Sequence, residues 1–264
     1  MNLEHICTQV CNLSKEVGQF IKTERSSNKN INVETKGIHD FVTYVDKSSE
    51  KQLVDGLGKI LPDAGFIAEE GTSTKKGEIY NWIIDPLDGT TNFIHGLTPY
   101  AISIALMKKD QIILGVIYEI SLDECFYAWQ NGHAFLNGEK IQVSDKKDLK
   151  SSLIATGFPY YDYKRIKPFL ESLEFFMLNS HGVRRLGSAA TDLAYVACGR
   201  FEAFYEYSLS PWDVAAGAFI VQQAGGKVSD FKGEKNYIFG KEIVACNNFV
   251  FDEFLSTVKN FMFR

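Results

Sequence analysis

Apolar residues in the N-terminal part of the chain recur at helical spacing on either side of a polar segment. Those from Leu3 to Ile21 predict an amphipathic first helix. Those from Leu53 to Leu61 share one face and predict a second helix, with Asp46 placed as its N-cap and Pro62 ending it. The segment Glu24 to Asp40 has little periodicity, which indicates a mobile loop or a short hairpin that could act as a lid.

Short β-rich runs dominate the middle of the chain. Asn131-Gly132 and Asn137-Gly138 are turn dipeptides that typically join antiparallel strands, so the later runs predict a meander. The predicted strands are Gly65–Ala68, Trp82–Ile84, Ala101–Met107, Ile112–Tyr118, Glu124–Trp129, Ala134–Leu136 and Lys140–Val143.

The second half of the chain has the pattern of a strand–helix–strand unit. The polar run Ser144 to Ser152 precedes it and predicts a boundary between two fused halves, 1–148 and 149–264, in one compact unit. The predicted elements are strand Leu153–Thr156, helix Tyr163–Leu178, strand Val183–Leu186, a helix opened by Gly187 and ending near Cys198, strand Phe201–Tyr207, a helix from Pro211 to Gly225, strand Ile243–Ala245 and helix Phe251–Phe263.

Composition is that of a globular protein with a full core. The chain has 264 residues, of which 45% are hydrophobic and 23% charged, and its net charge is −5. That charge gives no general attraction to nucleic acid or to an acidic membrane, so we expect neither as a partner. The five cysteines form no CxxC pair, and we see neither a signal peptide nor an apolar run of membrane-spanning length, so a reducing cytoplasm is expected.

Two carboxylates follow the apolar run Trp82–Ile84 within four residues. Asp85 and Asp88 repel each other unless a cation lies between them, so their placement suggests a hard divalent ion with oxygen ligands. The segment Gly89–Asn92 then offers amides and hydroxyls that can open a helix and face an anion. An Asp-rich turn before a helix, with no bound ion, is the alternative that these residues leave open.

Three motifs in order resemble the inositol monophosphatase family of Mg²⁺-dependent, lithium-sensitive phosphatases. DPLDGTTNF, from Asp85, is similar to the first signature of the family, and WDVAAGAFIVQQAGG, from Trp212, is similar to the second. AEEG, from Ala68, stands upstream at the family's spacing. The resemblance spans about Asp46 to Gly226, and it implies the family's layered αβαβα sandwich, an α/β fold.

The resemblance also implies a site. Two or three Mg²⁺ ions would be held by the metal ligands Glu69, Asp85, the Leu87 carbonyl, Asp88 and Asp213. Catalytic roles fall to Thr90, Asp46 and Glu69, because VTYVD matches the family's VTxxD, whose aspartate orients the threonine that positions the attacking water. Substrate contacts are implied for Leu87, Asp88, Gly89, Thr90, Gly187, Ser188, Ala189, Glu206 and Asp213. Lys36 matches a lysine near the metals, and Glu70 is a further candidate beside them.

The implied function is hydrolysis of a small phosphorylated polyol or sugar, in line, by metal-activated water, in a homodimer. A 3′(2′),5′-bisphosphate nucleotidase and a fructose-1,6-bisphosphatase share the metal site and remain alternatives, although Thr91-Asn92 and Glu206 favour inositol-type substrates. A catalytically silent metal-binding regulatory module is the alternative of another class, and the intact set of acids argues against it.

Other reactive residue types are interpreted as structural. Cys7 and Cys11 share a helix face, but neither a histidine nor a further cysteine is nearby in sequence, so core packing is expected. His95 and His133 have no partner at ligand spacing. Arg184 and Arg185 suggest a phosphate site, but neighbours on a strand point to opposite faces, so at most one can reach it.

Overall fold

The structure is a computed structural model that describes residues 1–27, 33–37, 40–159 and 161–264, with backbone alone for 33–37 and 40–42. Its helices are α1 Leu3–Ser27, α2 Tyr44–Ile60, α3 Thr90–His95, α4 Ile166–Asn179, α5 Ala189–Ala197, α6 Pro211–Gln223 and α7 Phe251–Met262. Its strands are β1 Val33–Gly37, β2 Asp40–Thr43, β3 Gly65–Ala68, β4 Tyr80–Asp88, β5 Ala101–Lys108, β6 Gln111–Glu119, β7 Glu124–Trp129, β8 Ala134–Leu136, β9 Glu139–Ile141, β10 Leu153–Thr156, β11 Gly182–Arg184, β12 Ala203–Tyr207, β13 Lys227–Ser229 and β14 Glu242–Cys246.

Two large sheets form the framework. The first has seven strands in sequence order, β3 to β9, and only β3 and β4 are parallel in it. The second has the order β11-β10-β12-β14-β13, in which β10 lies parallel to β11 and β12, while β14 runs antiparallel to its neighbours. The predicted meander and strand–helix–strand unit are both confirmed.

The helices cover the sheets in layers. α1 and α2 pack against one face of the seven-stranded sheet, α5 and α6 lie between the two sheets, and α4 and α7 cover the outer face of the five-stranded sheet. The expected αβαβα sandwich is therefore confirmed. The boundary predicted at residue 148 falls between the sheets and stays a prediction, because the middle apolar core draws residues from both halves.

Close packing in the middle layer depends on small residues. A Cβ at Gly115 of β6 would lie 2.8 Å from the carbonyl oxygen of Ala216, and one at Gly217 would lie 2.5 Å from the Cβ of Leu193. Side chains larger than hydrogen at either position would push α6 away from β6 or from α5. The AAGA segment of the second signature therefore sets how closely α6, which carries Asp213, approaches the first sheet.

The structure corrects several element boundaries. α1 continues to Ser27, six residues beyond the predicted end, and the hydroxyls of Thr23 and Ser26 donate to carbonyl oxygens one turn back. β4 runs on to Asp88 through Pro86, with a register irregularity after Asp85, so both aspartates belong to the strand. α4 begins at Ile166, the predicted strand Lys140–Val143 is Glu139–Ile141, and β13 was not predicted.

The polar segment after α1 contains the hairpin that was one of two expected alternatives. β1 and β2 pair antiparallel, with Val33 opposite Thr43. Positions 28–32 and 38–39 lie outside the described residues, as does the side chain of Lys36, so the role suggested for this lysine stays a prediction. Among the described helices, none combines the length and apolar character that a membrane span requires.

Candidate active site

One pocket collects the predicted site residues. The predicted metal, catalytic and substrate residues line it except for Asp46, although they come from the ends of β3 and β4, the starts of α3, α5 and α6, and the strand β12. The further candidate Glu70 does not line it. The lining residues that the sequence had singled out are Glu69, Asp85, Leu87, Asp88, Gly89, Thr90, Gly187, Ser188, Ala189, Glu206 and Asp213. His95 and His133 lie outside it, as expected.

Asp46 lies behind the pocket and is bonded through both carboxylate oxygens. Its Oδ2 accepts from the backbone N–H of Thr43 at 2.8 Å and from the Thr43 hydroxyl at 2.5 Å. Its Oδ1 accepts from the Thr90 hydroxyl at 3.0 Å, while the Leu87 carbonyl lies 2.9 Å from the same hydroxyl. The prediction that Asp46 is the N-cap was wrong, because Thr43 is the N-cap and Asp46 is the third helical residue of a capping box.

Asp88 joins the two halves of the chain. Its Oδ2 accepts from the Ser188 hydroxyl at 2.6 Å and from the backbone N–H of Ala190 at 2.8 Å, at the start of α5. The backbone turns of the two motifs also meet, since a Cβ at Gly89 would lie 3.3 Å from the carbonyl oxygen of Gly187. Both glycines have positive φ, 88° and 93°, so side chains there would be strained as well as crowded.

Asp213 is fixed at the first turn of α6. Its Oδ2 accepts from the backbone N–H of Ser210 at 2.7 Å, and Pro211 starts the helix. The Ser103 hydroxyl donates to the Trp212 carbonyl at 3.0 Å, and Ser103 lies opposite Asp85 in the β4–β5 register. Ser103 thus ties the turn that carries Asp213 to the strand beside Asp85.

Glu69 follows β3, and a buried glutamate holds the loop around it. Glu50 of α2 accepts from the backbone N–H groups of Glu70 and Thr72, both at 2.7 Å. Glu50 lies one helical turn after Asp46, so α2 directs two buried acids toward the site. Asp46 and Glu50 are spaced i, i+4 on the apolar side of the predicted helix, and this spacing could have indicated from the sequence that Glu50 is buried near the site.

Electrostatics in the pocket favour a bound cation. Burial raises the pKa of Asp85 well above its usual range, and the nearby charges of Glu69, Asp88 and Asp213 raise it further. Burial also raises the pKa of Asp88 to about 6, although the Ser188 and backbone donors oppose this. Four carboxylates that share one pocket are the hard oxygen donors that Mg²⁺ prefers, and a cation there would stabilise the ionised form of Asp85, so the donor set fits the expected ions.

The acidic side chains of the pocket lie farther apart than the ligands of a bound metal ion. Among the described residues, no three histidine, cysteine, aspartate or glutamate side chains lie at metal-binding spacing. Asp88 and Asp213 each direct Oδ2 to a backbone N–H group at a helix start, that of Ala190 in α5 and that of Ser210 before α6. The two helix starts therefore set the positions of these carboxylates before any ion binds.

The pocket is also lined by residues that the sequence analysis did not assign to the site. Gly157, Arg185 and Asp192 line the pocket beside Glu206, and Arg184 does not. This pocket is therefore reached by one of the two arginines, and the suggestion that at most one of them serves a phosphate site stays a prediction. Sequence offered no signal for Asp192, which lies within a helix of small and apolar residues. Asn92 has a structural role, because its amide donates to the carbonyls of Pro99 and Leu186, each at 2.8 Å.

Comparisons with known proteins agree with the fold and the motifs. The sequence model of the inositol monophosphatase family matches residues 2–261. The Nus factor SuhB of Pseudomonas aeruginosa is 42% identical over 87% of this chain and 86% of its own length. The fructose-1,6-bisphosphatase/inositol-1-monophosphatase of Thermotoga maritima is 37% identical over 93% of each chain. The crystal structure of the extragenic suppressor protein suhB from Bartonella henselae superimposes with a TM-score of 0.91 at 35% identity, covering 98% of this chain and 99% of that one.

Proposed function

The chain belongs to the inositol monophosphatase family and is a phosphoric monoester hydrolase, and from this premise we propose that it is a Mg²⁺-dependent phosphatase of polyol monophosphates such as inositol 1-phosphate. The observation that carries the proposal is the convergence of Glu69, Asp85, Asp88 and Asp213 on one pocket. Burial and the charges of the other three carboxylates raise the pKa of Asp85, and a divalent cation would relieve that repulsion.

Glu69, Asp85, Asp88, Asp213 and the Leu87 carbonyl would hold two or three Mg²⁺ ions. When bound, these ions would polarise the phosphate and make the attacking water more acidic. Thr90, held by Asp46, orients that water for in-line attack through its hydroxyl oxygen. Backbone N–H groups at the start of α3, after Gly89, hold the phosphate oxygens.

The pocket beyond the phosphate favours a polyol. Gly187, Ser188 and Ala189 bring backbone close to the ligand, and Glu206, 5% exposed, can accept from a ring hydroxyl. The Thermotoga relative is named for fructose-1,6-bisphosphate as well, so that substrate and adenosine 3′,5′-bisphosphate are the alternatives. The Pseudomonas relative is named a Nus factor, and a role in transcription is a second candidate that rests on that name alone.

Asp88→Asn tests the metal assignment. The amide oxygen of the new side chain can still accept from Ser188 and Ala190, so the fold should persist, while the ligand charge is lost. We expect Mg²⁺-dependent turnover of inositol 1-phosphate to fall below detection and the melting temperature without Mg²⁺ to stay at or above that of the wild type. Turnover equal to the wild type, at the same Mg²⁺ concentration, would contradict the assignment.

Three properties complete the proposal and rest on the family resemblance or on composition. The enzyme would be a homodimer, would be inhibited by lithium, and would work in the cytoplasm. All five cysteines are free thiols, and four of them are buried, which fits a reducing compartment. A panel of inositol 1-phosphate, fructose 1,6-bisphosphate and adenosine 3′,5′-bisphosphate, each with and without lithium, would separate the substrate alternatives.

A further inference from the structure

The loop that follows β3 carries Glu69 but buries little apolar surface. Positions 71–76 have the sequence GTSTKK, and all of them except Ser73 are exposed. Segments with so few buried apolar contacts are among the first to open in a folded protein. The position of the Glu69 carboxylate therefore depends on the hydrogen bonds that hold the backbone of this loop.

Backbone hydrogen bonds to two different elements fix the start of this loop. The N–H of Glu69 donates to the carbonyl oxygen of Ile84 on β4 at 3.2 Å. The N–H groups of Glu70 and Thr72 donate to Oε2 and Oε1 of Glu50, each at 2.7 Å. Glu50 therefore anchors the loop to α2, while Ile84 anchors it to the first sheet.

Folding of the loop does not by itself require a buried acid at Glu50. The residue is 0% exposed, and it does not line the active-site pocket. Gly71 and Thr72 are exposed, so water could satisfy the backbone of the loop there. Burying a carboxylate is unfavourable unless its hydrogen bonds compensate. A carboxylate that is nevertheless kept at this position indicates a role beyond folding.

We propose that Glu50 is a positioning residue of the metal site, which holds the loop after β3 so that the Glu69 carboxylate faces the pocket with Asp85 before Mg²⁺ binds. The inference rests on the proposed phosphatase function and adds a residue that touches neither substrate nor metal. α2 gives Glu50 a rigid base, because Leu53 and Leu57 of the same helix are fully buried. Groups that orient metal ligands in this way raise metal affinity without binding the ion themselves.

Glu50→Gln is the first test, because glutamine keeps the size of the side chain and removes one acceptor. Its amide oxygen can accept from one N–H of the loop, but its NH₂ group would face the other N–H, donor against donor. The Kd of Mg²⁺, measured by calorimetry, and the Mg²⁺ concentration for half-maximal turnover should both rise by about 10- to 100-fold. At saturating Mg²⁺, kcat on inositol 1-phosphate should stay near the wild-type value, because no group that contacts the substrate has changed.

Glu119→Gln is the matched control. Glu119 is also 0% exposed, and it also accepts from two backbone N–H groups of a turn, those of Ser121 and Leu122, at 3.1 and 2.7 Å. It does not line the pocket. Glu119→Gln should therefore leave the Mg²⁺ affinity unchanged, whatever its effect on the melting temperature.

Gly71→Ala is the second test, and it leaves the charge of Glu50 in place. Gly71 has a φ of 69°, and among the described residues an added Cβ would have no neighbour within 4 Å beyond the adjoining chain. Alanine is strained at this φ, so the loop should relax when no ion holds it, and Mg²⁺ binding would have to restore it. The Mg²⁺ affinity should therefore fall by about 3- to 10-fold.

Gly138→Ala is the control for that substitution. Gly138 has a φ of 92° and equally open surroundings, in a turn that does not line the pocket. The variant should bear a similar backbone strain and bind Mg²⁺ like the wild type.

Two comparisons of Mg²⁺ affinity would overturn the inference. If Glu50→Gln binds Mg²⁺ as tightly as Glu119→Gln, Glu50 only supports the fold. If Glu50→Gln does not fold, equal affinities for Gly71→Ala and Gly138→Ala overturn the inference instead. A wild type that binds Mg²⁺ but hydrolyses no phosphate ester would refute the proposed function, while the calorimetric comparison would still decide the role of Glu50. A wild type that binds no Mg²⁺ would refute both.

Discussion

The Thr90–Asp46 contact joins a residue with a proposed catalytic role to a residue that belongs to the capping box of α2. Thr90→Ala removes the hydroxyl that is proposed to orient water and leaves every proposed metal ligand in place. We expect kcat to fall by roughly 10²–10⁴-fold, or about 3–5 kcal/mol of barrier, with little change in KM. Because Asp46 acts through Thr90, the double variant with Asp46→Asn should lose much less than the product of the single losses.

The capping box supplies a control for that cycle. The Thr43 hydroxyl donates to Oδ2 of Asp46, whereas the Thr90 hydroxyl donates to Oδ1. Removing one hydroxyl at a time therefore separates the effect on helix stability from the effect on catalysis. Thr43→Ala should cost about 1 kcal/mol of unfolding free energy and leave kcat within about 2-fold. Multiplicative losses in kcat for Thr90→Ala and Asp46→Asn would show that Asp46 only caps α2, and would refute the pair.

At the scale of elements, the site depends on how α6 is joined to the first sheet. Ser103→Ala removes the hydrogen bond from β5 to the Trp212 carbonyl, next to Asp213. We expect a loss of about 1 kcal/mol in unfolding free energy. The Mg²⁺ concentration for half-maximal activity should rise roughly 10-fold, since groups that orient metal ligands affect metal affinity. Urea unfolding and Mg²⁺-dependent initial rates measure the two effects.

Ser49 is a matched serine for this comparison. It is fully buried on α2, and its Oγ has no hydrogen-bond partner among the residues described. Ser49→Ala should therefore be neutral or stabilising, and it should leave the Mg²⁺ requirement unchanged. If Ser103→Ala behaved like Ser49→Ala in both measurements, the bond to Trp212 would have no role in placing Asp213.

Helices and strands could be predicted from the sequence where apolar spacing and turn residues indicated the same bounds. β-rich runs and the Asn-Gly turns located β7 and β8 at their observed bounds, because short runs between turn dipeptides leave few alternatives. Ends set by tertiary contacts were missed. The N-cap of α2 is Thr43 and not Asp46, because Asp46 is the third helical residue and its side chain accepts from the backbone N–H of Thr43. The contact of Asp46 with Thr90, 44 residues away, has no local sequence signal.

For the molecule as a whole, almost every predicted site residue lies in one pocket, but three lining residues had no predicted place there. Gly157, Arg185 and Asp192 belong to the second half, and they meet Glu206 only because β10, β11 and β12 lie side by side. Strand order could not be derived from periodicity, so no sequence argument could have placed Asp192 beside Glu206. The hydrogen bond from Ser103 was missed for the same reason, since it reaches a distant backbone group.

Buried acids should make the stability of the whole protein depend on pH in the absence of divalent cations. Burial raises the pKa of Glu206 from 4.5 to about 8, so between these values the native state keeps a proton that the unfolded state releases. The unfolding free energy should therefore fall as pH rises from about 5 to 8, by at most about 1.4 kcal/mol per pH unit for this group. Glu206→Gln cannot ionise and should show a shallower fall in urea titrations across this range, whereas Glu253→Gln, exposed on α7, should follow the wild type. Parallel curves for the wild type and Glu206→Gln would mean that Glu206 is already ionised in the folded protein, with Arg185 compensating its charge.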